Sequence, residues 1–80
     1  MKTIHLLYQS LLRDQRGLAE ESIQTETETA AQLFNELSRR FGFRYGCGQF
    51  LAVVKGETVS LRTLLHDGDT VTFLVPLAGG

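Results

Sequence analysis

The residues with the clearest chemical potential stand at the end of the sequence, which reads VPLAGG over positions 75–80. Glycine adds no side chain to a core and has the largest conformational entropy of any residue, so Gly79 and Gly80 would stabilise little. They would, however, pass through a channel that any side chain would obstruct. The sequence therefore predicts an end that enters a narrow site on another molecule, with Pro76 fixing the direction in which a flexible tail, 77–80, leaves the last strand.

Other residues that commonly do chemistry are scattered. Cys47 lies between two glycines; it could relay a persulfide or pair with a partner, but an incidental loop thiol is the preferred interpretation, since reactive cysteines need surroundings that lower their pKa. His5 and His66 have no third ligand at metal spacing, so no metal site is predicted. No Ser-His-Asp set or phosphate-binding loop is visible. We therefore expect no catalytic site within the chain itself.

Composition restricts the class of protein. The 80 residues are 42% hydrophobic and 21% charged, which is typical of one globular domain. The net charge of −1 argues against a nucleic-acid ligand, because such binders usually carry a basic excess. A single cysteine excludes an internal disulfide. No signal peptide or membrane-length apolar run is visible, so no membrane partner and a cytoplasmic location are expected.

Apolar periodicity predicts the elements. Ile4, Leu6 and Tyr8 alternate in a first strand at 2–9; RDQRG at 13–17 reads as a turn; and a weak second strand, 20–26, follows. A helix is predicted over 29–41, from a capping-box spacing at its start to a glycine at its end.

The second half of the chain reads mainly as strands. FLAVVK at 50–55 is typical of a strand buried on both faces, KGE of a tight turn, and TVSL of a short strand. LRTLL at 61–65 suggests a short helical turn and HDGD at 66–69 a further turn, before a last strand, TVTFLV, at 70–75. One helix and four or five strands predict an α+β fold of β-grasp architecture, with residues 1–76 as the domain and 77–80 as the tail.

One face of such a sheet has no helix to cover it, and an apolar patch there would mark a partner surface. Leu74, with Leu77 near it, is the hypothesis for that surface. Phe73 is either a core residue, the preferred interpretation, or part of the partner interface. Rim contacts are hypothesised for the surface arginines Arg13, Arg39 and Arg40, although acids before and bases after a helix also match its dipole.

The whole chain resembles the small subunit of molybdopterin synthase, a member of the ubiquitin-like sulfur carrier family. The resemblance rests on the order of elements, the length, LLYQSLLRDQRG, the turn Asp67-Gly68-Asp69, the strand TVTFLVP and the terminal LAGG. The sequence departs from the family at Val75, where the first of two prolines is common, and at Lys55, where asparagine is common.

The resemblance implies a chemistry for the tail. The carboxylate of Gly80 would be adenylated inside a partner and then converted to a thiocarboxylate, with Gly79, Ala78, Leu77 and Pro76 threading the channel. No cofactor is expected on the chain, and ATP would be used by the adenylating partner. The implied partners are a ubiquitin-activating-enzyme-like adenylyltransferase, a persulfide enzyme as sulfur donor, and the large subunit of molybdopterin synthase. This chain would then be the sulfur-carrying, non-catalytic subunit in molybdenum cofactor biosynthesis.

Three alternatives stay open. The carrier could serve another product, such as thiamine, a thiolated tRNA base or cysteine. It could be a protein modifier that forms an isopeptide through Gly80. It could also be an interaction domain whose tail is inert.

Overall fold

The computed structural model describes residues 1–43 and 50–74. Within these ranges the chain forms five strands and two helices, in the order β1 (Lys2–Leu7), α1 (Ser10–Arg16), β2 (Glu20–Thr25), α2 (Ala30–Phe41), β3 (Leu51–Val54), β4 (Glu57–Val59) and β5 (Thr70–Leu74).

The strands form a single mixed sheet in the order β2-β1-β5-β3-β4. β1 and β5 run parallel at its centre, and the other neighbouring pairs are antiparallel. A parallel pair needs a crossover connection, and α2 supplies one between the two hairpin-like halves. The predicted α+β, ubiquitin-like β-grasp fold is confirmed.

α2 forms where its apolar period predicts it. Its buried residues are spaced so that they share one face, which packs on the sheet: Ala30, Leu33, Phe34 and Leu37. The Thr29 hydroxyl accepts the Gln32 N–H at 3.2 Å, and the Gln32 side chain accepts the Thr29 N–H at 3.3 Å. Gly42 ends the helix at φ 70°, the left-handed region that glycine tolerates best. The predicted capping box and stop are confirmed.

Replacement of Thr29 by Ala is expected to lower the free energy of unfolding by about 0.5–2 kcal/mol, because one end of the capping box is lost. Urea unfolding followed by circular dichroism measures the change. Thr58→Ala, on an exposed position of β4, is the control and should cost less. Equal losses in the two variants would contradict a stabilising cap at Thr29.

The core is built around one aromatic ring of α2. Phe34 is fully buried, with ring centroids 4.9 Å from Phe50, 5.1 Å from Phe73 and 6.1 Å from Phe43. Such pairs add to the free energy gained by burying the rings. The inner face of the sheet is therefore the face that packs against α2.

Three predictions about local structure need correction. Residues 13–17, predicted as a turn, belong mostly to α1, so the described chain has a second helix that ends at Gly17. β3 is not buried on both faces, since Leu51 is 42% exposed. The LRTLL segment makes a turn, closed by the Thr63 N–H to the Ser60 carbonyl at 3.0 Å, and the structure assigns no helix there.

Neither α1 nor α2 is long and apolar enough to cross a membrane, within residues 1–43 and 50–74.

Candidate functional site

The sheet brings several chain segments to the end from which the predicted tail continues. β5 runs parallel to β1, so Leu74 lies at the same end as Leu7 and the start of α1. β3 begins at this end too, because Leu51 pairs with Leu74. We call this the tail end of the domain. The residues predicted to react or to enter the partner's channel lie outside the described residues: Pro76, Leu77, Ala78, Gly79 and Gly80. Cys47 also lies outside them.

The outer face of the sheet carries an apolar patch near the tail end. Thr72 of β5 stands between Leu7 of β1 and Val53 of β3 in register, and Leu74 pairs with Leu51. Alternation along each strand puts these side chains on the face opposite α2. Leu7, Val53 and Leu74 are half-buried and Leu51 is 42% exposed. We call these four hydrophobic residues the outer patch.

The residues hypothesised for the partner interface fall in different places. Leu74 belongs to the outer patch, next to Leu51, which sequence reasoning missed. Phe73 points to the inner face and is 2% exposed, which confirms the core interpretation and leaves no surface for a partner. Its assignment to the interface is therefore wrong.

The three arginines hypothesised for the rim lie at the ends of the two helices. Arg13 is exposed on α1, and Arg39 is exposed in the last turn of α2. Arg40 is also exposed but pairs with Glu36, with Nε 3.4 Å from Oε2. Since α2 ends beside α1, all three lie at the tail end.

The other half of the outer face is polar. His5 Nε2 lies 3.3 Å from the Glu20 carboxylate, and His5 Nδ1 lies 3.2 Å from the Ser22 hydroxyl. The side chains of His5 and Glu20 are 37% and 63% exposed. No sequence pattern predicts this cluster, because the register of β1 and β2 is what brings the residues together. Because no helix covers this face of the sheet, we interpret the cluster as solvent-exposed polar surface beside the outer patch.

A partly buried polar cluster lies between α1 and the sheet. Glu21 accepts hydrogen bonds from Arg16 Nε at 2.7 Å, Arg16 Nη2 at 2.9 Å and the Tyr8 hydroxyl at 2.6 Å. Arg16 also stacks on the Phe41 ring, 4.0 Å from its centroid. The Arg16 hydrogen bonds hold the pKa of Glu21 below its usual range. Burial, and then the Glu21 carboxylate, raise the pKa of Tyr8. The cluster therefore favours an ionised Glu21 and a neutral Tyr8.

Acid should weaken this cluster. Because the folded pKa of Glu21 is lowered, its stabilisation is present above the unfolded pKa, about 4.3, and is lost as pH falls through the folded pKa. Glu21→Gln should therefore unfold at a lower temperature than the wild type at pH 7, with a difference that shrinks below about pH 4. Thermal unfolding from pH 7 to pH 3 measures this, with the exposed Glu57→Gln as control. A difference that stays constant across that range would contradict the assignment.

The turn Asp67-Gly68-Asp69 lies at the end of the domain opposite the tail end, and its residues stabilise the local structure there. Asp69 is 2% exposed, and its carboxylate accepts the His66 N–H at 2.9 Å and lies 3.4 Å from Lys55 Nζ. Gly68 adopts φ 88° within the turn. Lys55 itself adopts φ 54° in the β3–β4 turn, a conformation that asparagine takes more easily.

Comparison with known proteins gives a family match. The profile of the ThiS family matches residues 6–80. The search of curated proteins found no match.

Several solved structures resemble the chain. A Pyrococcus furiosus protein named molybdopterin converting factor, subunit 1, is 25% identical to this chain. The match has a TM-score of 0.79 and covers 96% of this chain and 100% of that one. Small archaeal modifier protein 1 of Methanosarcina acetivorans is 22% identical with a TM-score of 0.77, covering 100% and 98%. Subunits 1 and 2 of molybdopterin-converting factor from Helicobacter pylori form a complex whose matching chain is 19% identical, with a TM-score of 0.65 and coverage of 98% and 99%.

Proposed function

This chain belongs to the ThiS family, and from that premise we propose that it is a sulfur carrier whose last residue, Gly80, is adenylated and then converted to a thiocarboxylate. We further propose that the sulfur serves dithiolene formation in molybdopterin, during molybdenum cofactor biosynthesis. The chain acts in this role as a carrier, and the activating machinery belongs to its partners.

The observation that carries the proposal is the extent of the family match. The match runs from residue 6 to residue 80 and so includes the Gly-Gly end as well as the fold. A fold alone supports many functions, whereas a match that also includes the glycine end supports activation of the C-terminal carboxylate. The choice of molybdopterin is supported by the name of the Pyrococcus furiosus relative and by the Helicobacter pylori complex of subunits 1 and 2.

The chemistry follows from the weakness of a carboxylate as an electrophile. A Gly80 oxygen attacks the α-phosphorus of ATP, the bond to pyrophosphate breaks, and an acyl-adenylate forms. Hydrosulfide then attacks the acyl carbon and AMP leaves, which gives the thiocarboxylate. If an enzyme persulfide attacks instead, the product is an acyl disulfide that a thiol reduces to the same thiocarboxylate. A tail without side chains at positions 79 and 80 gives the reacting carbon access to an enclosed nucleotide site.

The outer patch is the proposed docking surface for the activating partner, a ubiquitin-activating-enzyme-like adenylyltransferase, and for a large subunit of molybdopterin synthase. Leu51 and Leu74 lie where β5 ends, so a partner that covers them contacts the end of the strand from which the chain continues. Exposed apolar surface in this position is typical of an interface. Use of one surface by both partners would make their binding mutually exclusive, which suits a carrier that moves between them.

Protein modification is the alternative that a specific observation favours. Small archaeal modifier protein 1 of Methanosarcina acetivorans matches the whole length of the chain with a TM-score of 0.77. The activation step is the same in both functions, and only the nucleophile that displaces AMP differs. A lysine amine would give an isopeptide in place of a thiocarboxylate.

The mass of the C-terminal peptide, from protein isolated from its native cells, tests the proposal. Replacement of oxygen by sulfur at Gly80 should add about 16 Da, and fragmentation must locate the change because oxidation of Cys47 adds nearly the same mass. A thiocarboxylate at Gly80 supports the carrier. Gly80 found joined to lysine supports the modifier. An unmodified carboxylate, even with adenylyltransferase, ATP and a sulfur donor supplied, would overturn both.

Substitution in the outer patch tests the docking surface. Leu51→Asp and Leu74→Asp should each weaken binding to the adenylyltransferase by about 10-fold or more, since a carboxylate would be desolvated against an apolar partner. Calorimetric titration measures the affinity. Leu64→Asp is the matched control, because Leu64 is 58% exposed and far from the tail end. Unchanged affinity in both patch variants would remove the outer patch from the interface.

A further inference from the structure

A row of residues in register crosses the outer face of the sheet and links the outer patch to the polar half of that face. Glu20 of β2 stands opposite Leu7 of β1. Leu7 in turn stands opposite Thr72 of β5, and Thr72 stands opposite Val53 of β3. Directly opposed residues on one face of antiparallel strands have their Cβ atoms about 5 Å apart. Glu20 is therefore the immediate neighbour of the outer patch, to which Leu7 and Val53 belong.

Glu20 gives this face its charge. The other Lys, Arg, Asp and Glu residues of the described strands, which are Lys2, Glu21 and Glu57, alternate to the inner side of the sheet. The Glu20 side chain is 63% exposed. A partner that lies on Leu7 would remove water from one side of this carboxylate. Partial desolvation of a charge costs free energy unless an opposite charge meets it.

His5 holds the Glu20 carboxylate in place. Its Nε2 lies 3.3 Å from Glu20 Oε1, and its Nδ1 lies 3.2 Å from the Ser22 hydroxyl oxygen. The tautomer with its proton on Nε2 satisfies both contacts, and we assign it on that ground. The imidazole engages one carboxylate oxygen, and an ionised carboxylate can accept further hydrogen bonds. A side chain that is already oriented loses less rotamer entropy when a partner binds.

We propose that Glu20 is a specificity-determining residue of the outer face. It selects an apolar protein surface that places an arginine or a lysine opposite its carboxylate, and His5 is its positioning residue. The inference rests on the proposed function, because the partner concerned is the adenylyltransferase proposed to dock on the outer patch.

The selection has an attractive and a repulsive part. A guanidinium or an ammonium group forms a charge-assisted hydrogen bond with the Glu20 carboxylate. A partner with a carboxylate or with only apolar groups at this point would leave Glu20 repelled or desolvated. Apolar contact is non-directional, so the outer patch by itself discriminates poorly between apolar surfaces. The outer patch therefore supplies affinity, and Glu20 supplies the choice of partner.

Charge also argues against a second copy of this chain as the occupant. In a two-fold symmetric dimer both copies would present the same face. Within the described strands that face carries no Lys or Arg to meet Glu20. A partner of different sequence is therefore the better fit.

Calorimetric titration with the adenylyltransferase, at about 50 mM and about 500 mM NaCl, tests the proposal. Glu20→Gln keeps the shape of the side chain and removes its charge. It should raise Kd about 10-fold at the lower salt concentration and by less at the higher one, because salt screens the attraction that the variant has lost. Glu20→Lys should raise Kd about 100-fold. Glu26→Gln is the matched control, since it removes the same charge from an exposed residue beyond the other end of β2, and should leave Kd unchanged.

A double-mutant cycle isolates the part played by His5. His5→Ala should raise Kd about threefold in the wild-type chain and change it little in the Glu20→Gln chain, because His5 acts through the carboxylate. An equal effect in both chains would give His5 a contact of its own and overturn its positioning role.

Three other results would count against the inference. An unchanged Kd in Glu20→Gln and Glu20→Lys, with Leu51→Asp still weakening binding, would overturn selection by Glu20 and leave the docking surface intact. A dimer of the isolated chain in sedimentation equilibrium, dissociated by Leu51→Asp, would make a second copy the occupant and overturn the inference. Absence of binding by the wild-type chain would contradict the proposed function at its activation step, and the inference would fall with it.

Discussion

Deletion of Gly80 is expected to lower the rate of C-terminal adenylation by about 100-fold or more. The truncated chain still ends in a glycine carboxylate, but one residue of extended chain spans about 3.5 Å, so the carboxylate stops short of the α-phosphorus. A misplacement of only about 1 Å can cost a factor of about 100 in rate. ATP–pyrophosphate exchange at saturating carrier measures the effect as a loss in kcat.

The deletion has a matched control in a chain lengthened by one glycine before Met1, which changes the length without moving the carboxylate. Both variants should unfold at the wild-type temperature, since neither removes a side chain of the hydrophobic core. A near wild-type exchange rate in the deletion variant would mean that adenylation does not depend on the length of the tail. It would contradict the channel on which the proposed chemistry depends.

Replacement of Phe34 by Ala is expected to give the largest loss of stability. Phe34 contacts three other aromatic rings and is fully buried, so its removal costs the transfer free energy of the ring and leaves a cavity. Such substitutions cost about 3–5 kcal/mol. A domain of 80 residues has roughly 4–12 kcal/mol of total stability. Much or all of the fold should therefore be lost.

Urea unfolding monitored by circular dichroism, with the extrapolated free energy in water, measures this loss. Leu64→Ala is the comparison, because that leucine is 58% exposed and should cost less than about 0.5 kcal/mol. A loss below about 1 kcal/mol in Phe34→Ala would contradict the central place given to its ring.

Local sequence signals were sufficient for α2. The cap at Thr29, the apolar face and the stop at Gly42 all lie within one continuous segment, and each acts through neighbours three or four positions away. The turn at Asp67–Asp69 also has local hydrogen bonds, between Asp69 and His66, but its Gly68 N–H donates to the distant Thr3 carbonyl at 2.8 Å. The local features depend on short-range chemistry and are therefore visible in the sequence.

α1 was missed because the contacts that hold it depend on the tertiary fold. Arg16 reaches Glu21 only because β2 pairs with β1, and it reaches Phe41 only because α2 ends beside α1, so no helical period predicts either contact. β3 was misread for a related reason. A continuous apolar run is expected where both faces are covered within the domain, but it also arises where one face is exposed, as at Leu51. Composition cannot distinguish a buried face from one that a partner would cover.

The candidate site was predictable in part. The sequence predicts a role for the glycine end, which lies outside the described residues, and for Leu74, which the structure places in the outer patch. The outer patch could not be completed, because Leu51 becomes its neighbour only through the register of β3 against β5. Register depends on the whole fold, and it decides which residues of a strand face the core. In β5 the neighbours Phe73 and Leu74 face opposite sides, so Phe73 is buried and Leu74 is half-buried.

The parallel pairing of β1 with β5 has a consequence for synthesis. β1 is synthesised before β5, which must insert between β1 and β3 to complete the sheet. Contacts between such distant segments make folding late and cooperative. A nascent or truncated chain without β5 has no finished surface to present to a partner. Assembly of the sheet thus acts as a check on the integrity of the polypeptide before the activation proposed for Gly80.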